Sequence, residues 1–405
     1  MKKRYLTSCV KELCFSDHKM AFVSGPRQCG KTTLARMLLE ERKSGKYYNW
    51  DDITFRRIWA KAPKEAVIRK KGVPLIVFDE IHKASGWKRT LKGIYDTLEE
   101  PADILVTGSA RLNVYKKGGD SLVGRYYHFR LHPFTLCEMN GIADISPQDF
   151  INNIKSRSLS IGKNEKSHFR PLFKFGGFPE PLFAENVRKA NLWRNTRIER
   201  VIREDLRDLS RIPELSRIEM MTSLIPERIG SLFSLNSLRE DLEVSYDTVK
   251  RWLNYLNELY YVFEVKPYSR SIARAIKRES KVYLWDYSEV EKESARFENL
   301  VACHLLKSCH YWTDSGYGTF NLHYIRNKQK QEIDFLITRD RKPWLPVEVK
   351  LNDSTPSSNW KKFLPLLKCD TALQILFQSG CWNTTKIANT DLVIASADDL
   401  LHYFI

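Results

Sequence analysis

The sequence predicts an α/β protein in three parts: a parallel-sheet core over residues 1–140, a helical middle over 141–280 and a mixed α/β region over 281–405. Three observations carry this. Up to about residue 140, short apolar runs alternate with helical stretches, the pattern of strands buried on both faces of a parallel sheet. From about 185 to 265 the chain is rich in Leu, Arg and Glu at helical spacing. Beyond about 280, β-rich runs such as Phe335-Leu336-Ile337-Thr338 return between helices. The stretch 141–170, rich in Gly, Ser, Asn and Lys, reads as a loop or exposed insertion, and a basic connector spans Ser269–Ser280.

Composition bounds the function. At ~100–200 residues per domain, 405 residues make two or three domains. Hydrophobic residues at 42% and aromatic residues at 12% supply real cores, which excludes wholesale disorder. No apolar run approaches the ~20 residues of a membrane span. The basic start, Met1-Lys2-Lys3-Arg4-Tyr5-Leu6, leads into Ser8-Cys9-Val10-Lys11-Glu12, too polar for a signal-peptide core. The 8 cysteines include no Cys-x-x-Cys pair, so they read as reduced thiols in a cytoplasmic protein without structural zinc. A net charge of +17 favours polyanionic partners, nucleic acid among them.

The first motif follows the apolar run Ala21-Phe22-Val23-Ser24. It reads Gly25-Pro26-Arg27-Gln28-Cys29-Gly30-Lys31-Thr32-Thr33 and leads into the helical Leu34–Leu39. This is G-x-x-x-x-G-K-T in a strand–loop–helix context. Its glycines let several N–H groups converge, and the helix N-terminus adds partial positive charge. All nine loop residues are therefore assigned to nucleotide binding. Lys31 is placed to reach the phosphates of ATP, and the Thr32 hydroxyl to ligate Mg²⁺.

The apolar run Pro74-Leu75-Ile76-Val77-Phe78 ends in Asp79-Glu80-Ile81-His82. Ligands of parallel sheets bind at the carboxyl ends of the strands. That places Asp79 near Mg²⁺ and Glu80 where it can polarise an attacking water. A further strand, Asp103–Ala110, ends in small hydroxyl residues, of which Thr107 or Ser109 is positioned to sense the γ-phosphate or hold the water. Gly124-Arg125 precedes the strand-like Tyr126–Leu131. Arg125 is a candidate arginine finger acting across a subunit boundary in a homo-oligomer; a surface arginine at a helix end is the alternative.

With these motifs the chain resembles the AAA-type P-loop ATPases of prokaryotes. The resemblance rests on Gly25–Thr33, Asp79-Glu80-Ile81-His82 and Thr107-Gly108-Ser109-Ala110. It extends to Gly124-Arg125 with Pro133-Phe134-Thr135-Leu136-Cys137-Glu138, and to Gly176-Gly177-Phe178-Pro179-Glu180-Pro181. It implies a P-loop ATPase core and a C-terminal domain of unassigned function, thought to be restriction-endonuclease-like.

In the middle region, Leu235–Val265 fits a winged helix. Ser237–Leu242 forms a short helix, and Ser245 caps a second, Thr248–Leu259, with Val249, Leu253, Leu256 and Leu259 on one face. Tyr260–Val265 is strand-like, as a wing is. Lys250 and Arg251 then lie on a recognition helix for DNA. The basic residues Lys266, Arg270, Arg274, Lys277, Arg278 and Lys281 follow, against the single acid Glu279. The alternative is a lid that never meets DNA.

Further on, Glu332-Ile333-Asp334-Phe335-Leu336-Ile337 and Leu345-Pro346-Val347-Glu348-Val349-Lys350 form two strands of a hairpin turning at Arg339-Asp340-Arg341-Lys342. Alternation puts Glu348 and Lys350 on one face, with Asp334 opposite. Glu298 lies at the start of an amphipathic helix. These positions resemble the metal site of PD-(D/E)xK nucleases. The resemblance implies Mg²⁺ held by Glu298, Asp334 and Glu348, with Lys350 assisting. The reading is therefore a Mg²⁺-dependent ATPase with a nuclease-like domain acting on DNA. The alternative is a nucleotide-dependent switch or protein-remodelling ATPase whose C-terminal domain only binds.

Overall fold

In a computed structural model of the chain, residues 2–67, 72–108, 122–141, 145–159, 162–201, 203, 214–269 and 279–405 are described. The chain divides into two compact units, Met1–Pro133 and Phe134–Ile405.

The first unit is built on five strands: β1 (Met20–Ser24), β2 (Gly45–Asn49), β3 (Leu75–Asp79), β4 (Asp103–Gly108) and β5 (Tyr126–Arg130). Their order is β2-β3-β4-β1-β5 and every neighbouring pair is parallel. β1, β3 and β4 are buried along their whole length, as the apolar runs require. Because the strands share one direction, the loop after β1 and the ends of β3 and β4 open on the same carboxyl edge. Helices α1 (Lys31–Arg42), α2 (Ile53–Lys61) and α3 (Trp87–Asp96) connect the strands. Asp52 caps α2 by accepting from the Thr54 N–H. The aromatic rings of Tyr48, Phe55, Trp59 and Phe78 pack together and tie α2 to β2 and β3.

The second unit begins with helices. The stretch 141–170 is not simply loop: α4 (Pro147–Ser156) and the short helix Lys163–Ser167 form within it. Ser146 accepts from the Asp149 N–H, Pro147 opens the first turn, and Phe150 and Ile154 are buried one turn apart. Those two apolar residues outweigh the polar composition around them.

In the middle region α5 (Leu235–Asp241) and α6 (Tyr246–Glu258) follow the sequence reading. The Ser245 side chain accepts from the Thr248 N–H, and Val249, Trp252, Leu253 and Leu256 form the buried face of α6. Lys250 and Arg251 are exposed on it. The next strand, β6 (Val262–Pro267), is not a free-standing wing. It pairs antiparallel with β7 (Lys281–Leu284) and joins β8 (Phe320–Arg326) in the C-terminal sheet. Arg270, Arg274, Lys277 and Arg278 lie outside the described residues.

That sheet has eight strands in the order β12-β13-β11-β10-β9-β8-β6-β7. It adds β9 (Glu332–Arg339), β10 (Lys342–Lys350), β11 (Thr371–Leu376), β12 (Trp382–Ile387) and β13 (Thr390–Ser396) to the three already named. β9 and β10 form the expected hairpin, closed by Asp340 and Arg341 at φ 50 and 67, the paired positive values of a tight two-residue turn. Helix α7 (Glu293–Asp314) packs on this sheet with Leu300, Val301, Leu305 and Trp312 buried. Within the same unit, Thr135 and Glu138 bind Lys307 of α7 at 3.1 and 2.5 Å, with Lys307 and Glu138 both buried. The Phe134–Glu138 motif therefore packs in the second unit.

Among the described residues, no helix is long and apolar enough to cross a membrane.

Candidate functional site

The loop after β1 turns tightly against the chain that follows β5. A Cβ on Gly25 would stand 2.2 Å from the Leu131 carbonyl oxygen, so only glycine lets the two backbones approach. Gly30, at φ 100, caps α1 in a conformation that L side chains rarely adopt. Between them Gln28 is also left-handed at φ 61, Arg27 is partly exposed and Cys29 is fully buried. Lys31, Thr32 and Thr33 make the first turn of α1, whose N–H groups have no helical partner and suit an anion. The buried Lys31 ammonium folds back and donates to the carbonyls of Gly25 and Pro26 at 3.0 and 2.7 Å.

At the end of β3 the Asp79 carboxylate collects hydroxyls. Thr32 of α1 donates to Oδ2 at 2.9 Å and Thr107 of β4 donates to Oδ1 at 2.6 Å. Tyr47 of β2 also donates to Oδ2. The loop, Asp79 and Thr107 are thus brought together as expected, with Thr107 acting on the carboxylate; Ser109 lies outside the described residues. Glu80 follows at φ 58, a left-handed turn fixed by its N–H donating to the Thr107 carbonyl at 2.8 Å. Burial raises the Glu80 carboxyl above its ordinary value, while the Lys31 charge opposes that rise. His82 Nε2 lies 3.4 Å from Glu80 Oε2.

Arg125 is not brought to this chain's own loop. It precedes β5 at the amino end of the sheet, since Met20 pairs with Tyr126 and Ser24 with Arg130. Four strand steps at ~3.3 Å, or about 13 Å, separate it from the carboxyl edge. Its guanidinium forms a two-point pair with Asp96 at 2.6 and 2.9 Å.

Two residues at the loop escaped the sequence reading. Tyr47 had only a β-rich run to mark it. Arg4, in the basic N-terminus, is buried and donates at 2.5 Å to both the Cys29 and His132 carbonyls, bracing the loop from behind.

The four C-terminal positions also converge. Glu348 and Lys350 share a face of β10, with Lys350 Nζ 2.8 Å from Glu348 Oε1. Asp334 on β9 accepts from the Val349 N–H at 2.8 Å. Burial, then Glu348 and Glu298, push the Asp334 carboxyl well above its ordinary value; burial also raises Glu348. Oε2 of Glu348, a residue only 2% exposed, has no hydrogen-bond partner among the described residues.

Glu298, Asp334 and Glu348 made up the expected metal set. Among the described residues, no three His, Cys, Asp or Glu side chains are arranged to hold a metal ion. Lys281 of β7 lies among these acids. Its Nζ lies 3.0 Å from Glu298 Oε1, 2.5 Å from Glu332 Oε1 and 3.7 Å from Asp334 Oδ1. Tyr283 completes the arrangement by donating to Glu298 Oε1 at 2.6 Å. Lys281 stood out in the sequence only as one of six basic residues, because nothing local ties it to acids on α7 and β9.

Residues 17–140 match the family described as AAA domain, 166–290 a domain of unknown function, DUF8612, and 293–396 another, DUF4143. The chain is 25% identical over 348 residues to an uncharacterized protein of Mycobacterium tuberculosis, covering 84% of this chain and 71% of that one. It is 24% identical over 320 residues to an uncharacterized protein of Methanocaldococcus jannaschii, covering 69% and 64%. Among solved structures, Aeropyrum pernix ORC1 in complex with DNA is 14% identical, with 74% of this chain and 92% of that chain covered, at a TM-score of 0.30. AMPPCP-bound DnaA from Aquifex aeolicus is 16% identical, with 62% and 86% covered, at a TM-score of 0.31. Overlap that low carries no argument for what this chain binds. The chain is thus similar to an AAA domain over 17–140, where the five-stranded parallel sheet lies, and to DUF8612 and DUF4143 after it.

Proposed function

We propose that the first unit binds ATP and hydrolyses it with Mg²⁺. The observation that carries this is the Asp79 carboxylate, bonded to the Thr32 and Thr107 hydroxyls at the mouth of the loop with Glu80 next in chain. The donor set fits a hard ion: a carboxylate and a hydroxyl 2.9 Å apart offer oxygen ligands, directly or through water. Thr32 and Asp79 would hold Mg²⁺. When bound, the ion would draw charge from the phosphate oxygens. The loop N–H groups hold the phosphates in place, and Lys31, released from the Gly25 and Pro26 carbonyls, turns its ammonium to the β- and γ-phosphates. Glu80 orients water and accepts its proton, for which it must be ionised. The test is Glu80→Gln: ATP binding is kept while turnover falls by about 100-fold or more. Undiminished turnover removes Glu80 from the mechanism.

DNA is the proposed macromolecular partner, supported by the net charge of +17 and by Lys250 and Arg251 exposed on α6. Binding should weaken steeply with salt, because phosphate contacts release counterions. Unmeasurable binding at low salt would favour the protein-remodelling alternative. Assembly into a homo-oligomer, with Arg125 reaching a neighbour's nucleotide, requires that Arg125 leave Asp96.

A second reading concerns the C-terminal cluster: a nuclease-like site built on Asp334, Glu348 and Lys350. The partnerless Oε2 of Glu348 supports it, since a buried carboxylate oxygen calls for a cation or donor. The test is cleavage of duplex, branched and single-stranded DNA with Mg²⁺ or Mn²⁺ by wild type and Asp334→Ala. Equal, metal-independent results leave a binding module or a cluster held closed to metal.

A further inference from the structure

We propose that Lys281 is a tethered cation that fills the place of a divalent ion among the C-terminal carboxylates and keeps the cluster closed to metal. The proposal rests on the nuclease-like reading of that cluster and assigns its regulation.

The geometry is that of an occupied cation site. The Lys281 ammonium is 2% exposed and touches Glu298, Glu332 and Asp334 at 3.0, 2.5 and 3.7 Å. An ion bridging Glu298 and Asp334 would need both oxygens at ~2.0–2.1 Å for magnesium, the space this ammonium takes. The surroundings hold it there. Tyr283 fixes Glu298 at 2.6 Å, and Arg326 reaches Glu332 at 3.2 Å. A divalent ion placed beside the ammonium would meet like charge at short range in a buried setting, where Coulomb repulsion is strong.

The lysine and the acids come from different stretches of the chain. Glu298, Glu332, Asp334, Glu348 and Lys350 lie within residues 293–396, whereas Lys281 lies within 166–290. Lys281 sits on β7, the last strand in the sheet order, paired with Val265 of β6 on one side and bridged to Leu232 on the other, so its side chain can withdraw only as a rotamer change. Glu348, next to Asp334 in charge interaction, pairs with Lys350 through Oε1 at 2.8 Å, while its Oε2 has no hydrogen-bond partner among the described residues. Withdrawal of one side chain would therefore expose a three-carboxylate site.

Binding of Mn²⁺ alone to the full chain, without nucleotide, tests this by counting ions per chain in equilibrium dialysis. Wild type and Asp334→Asn should bind equal numbers, since neither has an open cluster, and any ion at the first unit is common to both. Lys281→Met should bind one more ion, which added Asp334→Asn removes, and Mn²⁺ should raise its melting temperature more than that of wild type. Loss of one ion on going from wild type to Asp334→Asn overturns the proposal, whether or not Lys281→Met folds. So does a folded Lys281→Met with no additional ion. DNA cleavage measured in parallel separates the two claims: a Lys281→Met protein that gains the ion and cleaves nothing keeps the closed cluster and removes the nuclease reading.

Discussion

Tyr47 and Thr32 donate to the same oxygen of Asp79, so the carboxylate reaches the loop already oriented. Removing the phenol leaves Asp79 with its Thr32 and Thr107 bonds but free to rock about them. Tyr47→Phe should lower kcat several-fold, with little change in nucleotide affinity, measured by steady-state hydrolysis beside equilibrium binding. A parallel loss of affinity would instead make Tyr47 a binding residue. In the second unit, Glu289 gives a pH signature. Burial, then the charge of Asp286, push its carboxyl up to about 7, despite Arg197 at 3.5 Å and the Tyr261 hydroxyl at 2.9 Å. The folded state therefore holds this proton more tightly than the unfolded chain. The stability it gives is complete below the ordinary carboxylate range and is lost as pH rises through about 7. Melting temperatures of wild type should fall over that window more than those of Glu289→Gln; parallel curves would place the titration elsewhere.

At the scale of elements, what a motif says depends on the contacts that shape it. The loop Gly25–Thr33 was legible because its residues are adjacent in the chain and sit between a buried strand and a helix. Why its first position must be glycine was not legible, since the Leu131 carbonyl that excludes a Cβ follows the neighbouring strand β5, far away in sequence. Gly25→Ala should therefore disturb the loop itself. Nucleotide affinity should drop at least 10-fold while the far-ultraviolet circular dichroism of the sheet and helices is retained. The hairpin of β9 and β10 was equally readable, from two alternating runs around a polar turn. The expected wing was not, because a six-residue strand carries no mark of which sheet it will join. β6 has its partners in β7 and β8, the latter more than fifty residues on in sequence.

At the scale of the molecule, the second unit carries an ion pair whose two partners are both buried. Lys307 and Glu138 form a buried ion pair with Thr135, so the Phe134–Glu138 motif is an anchor onto α7. Lys307→Met removes the ammonium from the buried Glu138 carboxylate and should destabilise this unit by about 3–5 kcal/mol in urea unfolding. Adding Glu138→Met should recover much of that loss, because a matched apolar pair carries no desolvation cost. A single variant as stable as wild type would mean that water reaches Glu138.

The sequence by itself determined the α/β class, the glycine-bounded loop Gly25–Thr33 with Asp79 and Glu80 at a strand end, and the strands bearing Asp334 and Glu348. Each is written in local order: an apolar period, a glycine spacing, a carboxylate at a strand end. Tertiary structure decided the rest. It placed Arg125 at the opposite edge of the sheet from the loop, bonded to Asp96. It brought Tyr47 to Asp79 and Arg4 to the loop, and it set Lys281 among acids that the sequence reading had reserved for a metal. The physical reason is common to all of these. A hydrogen bond or ion pair acts over about 3 Å in space, and residues far apart in the chain are brought within that range only by the packing of the sheets on which they stand.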